Sequence, residues 1–262
     1  PRPNLLFSET DALCYYRYRA IQYFADSEVV KNYQGGNIDA ERYSRQLAKI
    51  MQINLVKRLE SSFAAFKSSL RNLRQYTQNM VDMWEHDAIF ICPNIDVNGE
   101  LDVRKNRKKD PKAPLLTFEQ CANDIRKKIE KLNNEGRNEK GRNAEYHRTD
   151  FKPEYIELIR RDLSLINDLC DRWADYDADP KLEKFKDCIQ SELLNPKKNI
   201  SGKLVIFSEA KDTVDALKRT LDNKGYKGRV LVVDASNRDK LEETIQANFD
   251  ANYKGTKRDD YN

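Results

Sequence analysis

Arg104, Lys105, Arg107, Lys108, Lys109 and Lys112 crowd one stretch that is almost free of apolar side chains. Such a cluster can neutralise phosphates along a nucleic-acid backbone, with an affinity that falls as salt rises. A run of like charge also makes a solvated loop with no ligand at all. Lys57 and Arg58 offer either a phosphate contact or an ion pair, although Glu60 stands at the wrong helical spacing to be their partner. Phosphoryl transfer asks for more than cations. A phosphate-cradling loop has the form G-x-x-x-x-G-K-[ST], and Ser201-Gly202-Lys203 is followed by Leu204, which fails that form. No Asp-Glu pair stands ready to hold magnesium. His86 and His147 are the only histidines, so a zinc site of ordinary spacing is not expected. Cys14, Cys92, Cys121, Cys170 and Cys188 contain no C-x-x-C pair, a pattern of reduced thiols in a cytoplasmic protein.

The elements that would position these groups are mostly helical. The chain has 262 residues, 39% of them hydrophobic and 34% charged, with a formal net charge of +4. That net charge is too small to diagnose nucleic-acid binding by itself, and no apolar run approaches membrane-spanning length. Ser8 and Asp11 resemble a cap before a helix carrying Leu13, Tyr16, Ile21 and Phe24, and Gly35-Gly36 breaks it. A long helix then runs from near Asp39 to about Trp84. Its seam, Leu55, Leu59, Phe63, Phe66, Leu70, Leu73, Met80 and Trp84, is heptad-like and interrupted only by Thr77. Residues 88–92 read as a short strand ended by Pro93. Residues 117–132 read as a helix, and 135–143, with a repeated Gly-Arg-Asn, as a flexible tip. Two further helices follow, through Ile156–Trp173 and through Leu182–Leu193, the second opened by Asp179-Pro180.

The last stretch changes character. Residues 203–207 (KLVIF) and 229–233 (RVLVV) are short apolar runs of the kind that form buried strands. Each is followed by a helical pattern, through Val214, Leu217 and Leu221 and through Leu241, Ile245 and Phe249, with Gly225 between them. The alternation predicts a partial parallel sheet. The expected fold is therefore mostly α with a C-terminal α/β unit. It divides into a helical region (1–93), a basic, polar insertion with one helix (94–150), and helices leading into the α/β unit (151–262).

These segments together resemble one family. Leu55-Val56-Lys57-Arg58-Leu59-Glu60-Ser61-Ser62-Phe63 is similar to the segment that follows the first motor lobe in bacterial Swi/Snf-type members of the superfamily-two helicases and translocases. Asp179-Pro180-Lys181-Leu182 resembles the helix entering the second, RecA-like lobe. Residues 203–209, with Thr213 and Leu217, resemble helicase motif IV, and Asp234-Ala235-Ser236-Asn237-Arg238 with Ile245, Asn248 and Phe249 resembles the strand and helix after it. The resemblance implies a parent that hydrolyses ATP with Mg2+ between two lobes and moves along DNA. It also implies that Ser208 and Ser236, at strand ends, reach phosphates, where helix capping is the simpler alternative. The family's arginine-finger motif, Q-x-x-G-R-x-x-R, is absent: Gly136-Arg137 and Gly141-Arg142 lie upstream of motif IV and lack the glutamine. The expectation is a fragment that needs no cofactor of its own, does no chemistry alone, binds DNA weakly through 104–112, and partners the remaining motor lobes. A non-enzymatic helical scaffold using the 55–84 seam is the alternative. A nucleotide- or flavin-binding α/β domain is disfavoured, because no glycine-rich turn follows Phe207.

Overall fold

Local capping signals set several element boundaries in the computed structural model of the chain, which describes residues 13–33, 40–108 and 110–261. The protein is mostly helical, with α1 (Ser27–Tyr33), α2 (Ala40–Ser61), α3 (Phe63–Glu85), α4 (Val97–Glu100), α5 (Phe118–Asn134), α6 (Glu154–Ala174), α7 (Pro180–Cys188), α8 (Lys211–Leu221) and α9 (Arg238–Phe249). Thr117 opens α5 with a reciprocal capping box: its hydroxyl accepts the Gln120 N–H, and the Gln120 side chain accepts the Thr117 N–H. Asp179 caps α7, with Pro180 at the first helical position. Gly225, at φ 95°, ends the helical run that continues from α8, a backbone state that would strain any side chain. Ser8, Asp11, Gly35, Gly36 and Asp39 lie outside the described residues.

Three expectations are corrected. Residues 16–23 form a 3-10 helix rather than an α-helix, entered through Tyr15 in the left-handed conformation (φ 56°, ψ 42°). The long helix is broken at Ser62 into α2 and α3. The partial parallel RecA-like sheet is not formed. Among the described residues the sheet has two antiparallel strands, β1 (Ile89–Ile91) and β2 (Ala144–Tyr146), in the register Ile89↔Tyr146, Phe90↔Glu145, Ile91↔Ala144. Residues 203–207 and 229–233 have the composition of strands but belong to no ladder. Two short strands without further neighbours are marginal in water, so composition alone does not make them pair. Val205, Ile206, Phe207 and Val233 are consequently 59%, 43%, 92% and 41% exposed.

Two compact units divide the chain. Residues 1–54 and 70–171 form the first, and residues 55–69 and 172–262 the second. This grouping differs from the linear partition at 93 and 150. The first unit's core joins Met80, Val81 and Met83 of α3, Ile89 and Phe90 of β1, Cys121, Ala122 and Ile125 of α5, and Tyr155, Ile156 and Ile159 of α6. Each fully buried isoleucine in it contributes about 1.5–3 kcal/mol over an exposed one. A layer of rings lies across it: Tyr23 and Phe151 both stack on Tyr155, at 5.0 and 5.4 Å between centroids. The stretch read as a flexible tip is tied into this unit. Asn143, 1% exposed, accepts the Asn94 N–H and donates to the side-chain oxygens of Asn94 and Asn138.

In the second unit Trp173 receives Phe63 and Phe66 edge-on, at 5.0 Å and 4.7 Å. Ala210, Leu221 and Ala247 are buried, and the side-chain oxygen of Asn248 accepts the N–H groups of Asp260 and Tyr261. None of the five cysteines is in a disulfide. No helix among the described residues is long and apolar enough to cross a membrane.

Candidate functional site

The break at Ser62 is the centre of a hydrogen-bonded node. A helix leaves its first N–H groups without intrahelical partners and carries partial positive charge at that end. Ser62 supplies one acceptor to α3, taking the Ala65 N–H at 3.1 Å. Asp179 supplies the next: one carboxylate oxygen accepts the Phe63 N–H at 2.8 Å, across 116 residues of sequence. Its other oxygen accepts the N–H groups of Lys181 (3.0 Å) and Leu182 (3.4 Å) at the start of α7. One carboxylate, 5% exposed, therefore serves the positive ends of two helices. Thr213, in the first turn of α8, closes the node by bonding the hydroxyls of Ser62 (2.7 Å) and Ser61 (2.8 Å). The Lys181 ammonium donates to the Glu60 carbonyl in the last turn of α2, where a cation is favourable. Every one of these groups is occupied by backbone or by another hydroxyl, so the node positions helices and holds no free nucleophile or base.

The node collects segments that the sequence singles out separately: 55–63, 179–182, and Thr213 behind 203–209. Of the predicted contact residues beside it, Lys57 is exposed and Arg58 half-buried, with the Arg58 carbonyl accepting the Ser62 N–H. The Ser208 hydroxyl is engaged with the Ala210 N–H and carbonyl, just ahead of α8. The Ser236 hydroxyl and N–H both donate to Asp234, and these bonds hold the Asp234 carboxyl below the ordinary range. Both serines therefore act locally, in the turns that open α8 and α9.

No protein-family model, curated protein or solved structure matches this chain.

The basic stretch lies in the first unit, and two of its six cations, Lys105 and Lys108, are paired with acids. Lys105 bonds Glu100 at 2.9 Å and Asp124 at 2.8 Å. Burial works to lower the Lys105 pKa, but these two carboxylates overcome it and raise the value. Burial likewise works to raise Glu100, and the hydrogen bonds from Lys128 and Lys105 hold it below its ordinary range. Lys108 pairs with Asp102 at 3.1 Å, and the Arg107 side chain donates to the Ala113 carbonyl at 2.9 Å. Arg104 and Lys112 are exposed, and Lys109 lies outside the described residues. The acids that neutralise the cluster sit outside the run, where counting charges along it does not find them. Lys105→Ser is expected to lower stability by about 1 kcal/mol, because it removes one of the two lysines paired with the half-buried Glu100 and leaves Lys128 as the other. Arg104→Ser and Lys112→Ser should stay within about 0.5 kcal/mol. Thermal unfolding of the three variants measures this, and equal midpoints would show that the Lys105 pairs contribute nothing.

Charge counting along the sequence passes over a different basic element. The run Cys14-Tyr15-Tyr16-Arg17-Tyr18-Arg19 alternates aromatic and cationic side chains, and that alternation is its only signal. Asp162 fixes its start: its two carboxylate oxygens accept the Cys14 N–H (2.9 Å) and the Tyr16 N–H (2.7 Å), on either side of the left-handed Tyr15. Asp162 is 2% exposed, and burial pushes its carboxyl up, against those N–H groups and the charges of Arg19 and Arg161. The Arg17 guanidinium lies 4.2 Å from the Tyr18 ring centroid and 5.3 Å from that of Tyr76. Arg19 lies 5.4 Å from the Tyr16 centroid. Among the described residues no group of three His, Cys, Asp or Glu side chains is placed to hold a metal ion.

Proposed function

We propose that this chain is part of a Swi/Snf-like, superfamily-two, ATP-dependent DNA translocase or helicase. It would comprise the helical region between the motor lobes and the opening part of the second lobe. The observation that carries the reading is the node: the three segments with family resemblance share Asp179 and Thr213 as hydrogen-bonding partners. A motor that closes two lobes around ATP must transmit that closure through the segments joining them. A shared set of helix caps gives such a junction stiffness. The exposed Val205, Ile206 and Phe207 fit the same reading, as strand residues whose ladder partners would come from the rest of the lobe. ATP and Mg2+ would be held by parent segments with the phosphate loop and acidic pair that this sequence lacks. Duplex DNA and the remaining lobes are the partners, and the cytoplasm is the location that fits.

The scaffold alternative relies on the 55–84 seam as a surface. Leu55, Phe66, Leu70, Leu73, Thr77 and Met80 are all buried within the chain, which favours the motor reading. The test joins these residues to their neighbouring coding sequence and measures ATP hydrolysis with and without duplex DNA. DNA-stimulated turnover is expected in the longer protein and none in the 262-residue chain. A longer protein without turnover, or turnover by this chain alone, overturns the proposal.

A further inference from the structure

We infer that Arg17 and Arg19 form a contact site for the phosphodiester backbone of nucleic acid. The inference rests on the nucleic-acid part of the proposed function and moves its contact from residues 104–112 to the 3-10 helix Tyr16–Tyr23.

Three observations carry it. First, the two guanidinium groups are pre-positioned. The Nε atom of each arginine is buried without a hydrogen-bond partner, while each residue as a whole is only half-buried, so the stems are packed and part of each side chain still meets solvent. Arg17 is further ordered by the rings of Tyr18 and Tyr76. A guanidinium ordered before binding loses little entropy when its fork meets a phosphate. Second, neither arginine has a hydrogen bond or ion pair from an acidic side chain among the described residues, in contrast to Lys105 and Lys108. Asp162 acts on Arg19 at longer range, but both of its oxygens are occupied by backbone N–H groups. Arg17 is therefore the stronger of the two sites. Third, the backbone carrying them is held in an unfavourable state. A left-handed tyrosine costs about 1–2 kcal/mol, and it persists because a buried carboxylate pins both neighbours. Strain maintained in this way is characteristic of segments that present side chains for a purpose.

The chemistry favours phosphate over base. Tyr18 and Tyr16 each already meet a guanidinium and a second tyrosine ring, which reduces the face they offer for base stacking. Contact with phosphates is independent of sequence and sensitive to salt.

The test uses the full chain and a fluorescent 20-base-pair duplex, followed by anisotropy from 50 to 200 mM salt. R17Q/R19Q should weaken binding about tenfold or more at 50 mM salt and reduce the log–log salt slope by about 2. Serine at 104, 105, 107, 108, 109 and 112 should change the slope less than R17Q/R19Q does. A second measurement needs no variant: phenylglyoxal modification, mapped by mass spectrometry, should slow at Arg17 and Arg19 when duplex is present, and not at the exposed Arg71. If the chain binds duplex but R17Q/R19Q leaves affinity and slope unchanged, or Arg17 and Arg19 are unprotected, this inference falls and the proposed function stands. If the chain binds no duplex even at 50 mM salt, the inference falls together with the DNA partner. Competition by polyglutamate as effective as by DNA, at equal charge, would assign the site to an acidic protein instead.

Discussion

Asp179→Ala is expected to destabilise the protein by about 2–4 kcal/mol, more than any other single change at the node. The side chain is 5% exposed and accepts N–H groups from both α3 and α7. Its removal leaves the part-buried Phe63 and Lys181 N–H groups without these acceptors, and the loss combines two helix caps, each worth about 0.5–2 kcal/mol. Asp179→Asn keeps one acceptor oxygen and should cost about half as much. Lys181→Met removes only an exposed cation from the end of α2 and should cost less than about 1 kcal/mol. Urea unfolding gives the three values. Amide exchange should accelerate in the Asp179→Ala protein at Phe63 and at Lys181 and Leu182. A loss below about 1 kcal/mol, with exchange at these amides unchanged, would mean that other groups hold the two helix starts.

Asp162→Ala should cost about 2–4 kcal/mol, because it frees the two N–H groups that hold Tyr15 in its left-handed state. The same residue predicts a pH dependence. Burial raises the Asp162 carboxyl above its ordinary range, and the Cys14 and Tyr16 N–H groups and the charges of Arg19 and Arg161 only partly oppose it. The folded protein thus holds this proton more tightly than the unfolded chain does. The stabilisation is complete below the ordinary carboxylate range and is lost as pH rises through the raised value. Carboxylates such as Asp102 and Asp124, which are shifted down, act oppositely and at lower pH. Asp162→Asn cannot titrate, so the difference in stability between it and the native protein isolates the effect. That difference should move in favour of the asparagine protein as pH climbs from 4 towards neutrality. A difference that stays flat with pH would show that Asp162 is ionised alike in both states.

What the sequence discloses is chiefly local. Thr117 and Gln120 announce α5, and Asp179-Pro180 announces α7, because a cap and the helix it opens lie within one turn of each other. A helix is legible from the spacing of Leu13, Tyr16, Ile21 and Phe24, but its 3-10 form over 16–23 is not, and Asp162, which holds its start, lies 146 residues from Tyr16. Strand β2 escapes notice for a related reason. Residues 144–146 show no apolar alternation, and what makes them a strand is the ladder to β1. The runs at 203–207 and 229–233 show the converse, since strand composition is present and the ladder is not. The node is legible in pieces. Its segments stand out one by one, and their meeting through Asp179 and Thr213 is a property of tertiary structure. In the 104–112 cluster, Lys105 and Lys108 are paired with Glu100, Asp124 and Asp102, acids that a count of charge along the run does not bring to them.

The antiparallel ladder between β1 and β2 has a consequence for how quickly the first unit can assemble. Residues 91 and 144 face each other only after the intervening chain, with α5 inside it, has turned back on itself. The entropy of closing so long an excursion must be met before the ladder returns any enthalpy, and such non-local pairings slow folding. Equilibrium stability feels the length far less, since doubling a flexible loop costs only about 0.6 kcal/mol. Docking of Cys121, Ala122 and Ile125 into the core would shorten the excursion that the pairing has to close. In pulse-labelled refolding, amides of residues 89–91 and 144–146 are therefore expected to gain protection after those of α5 and α6.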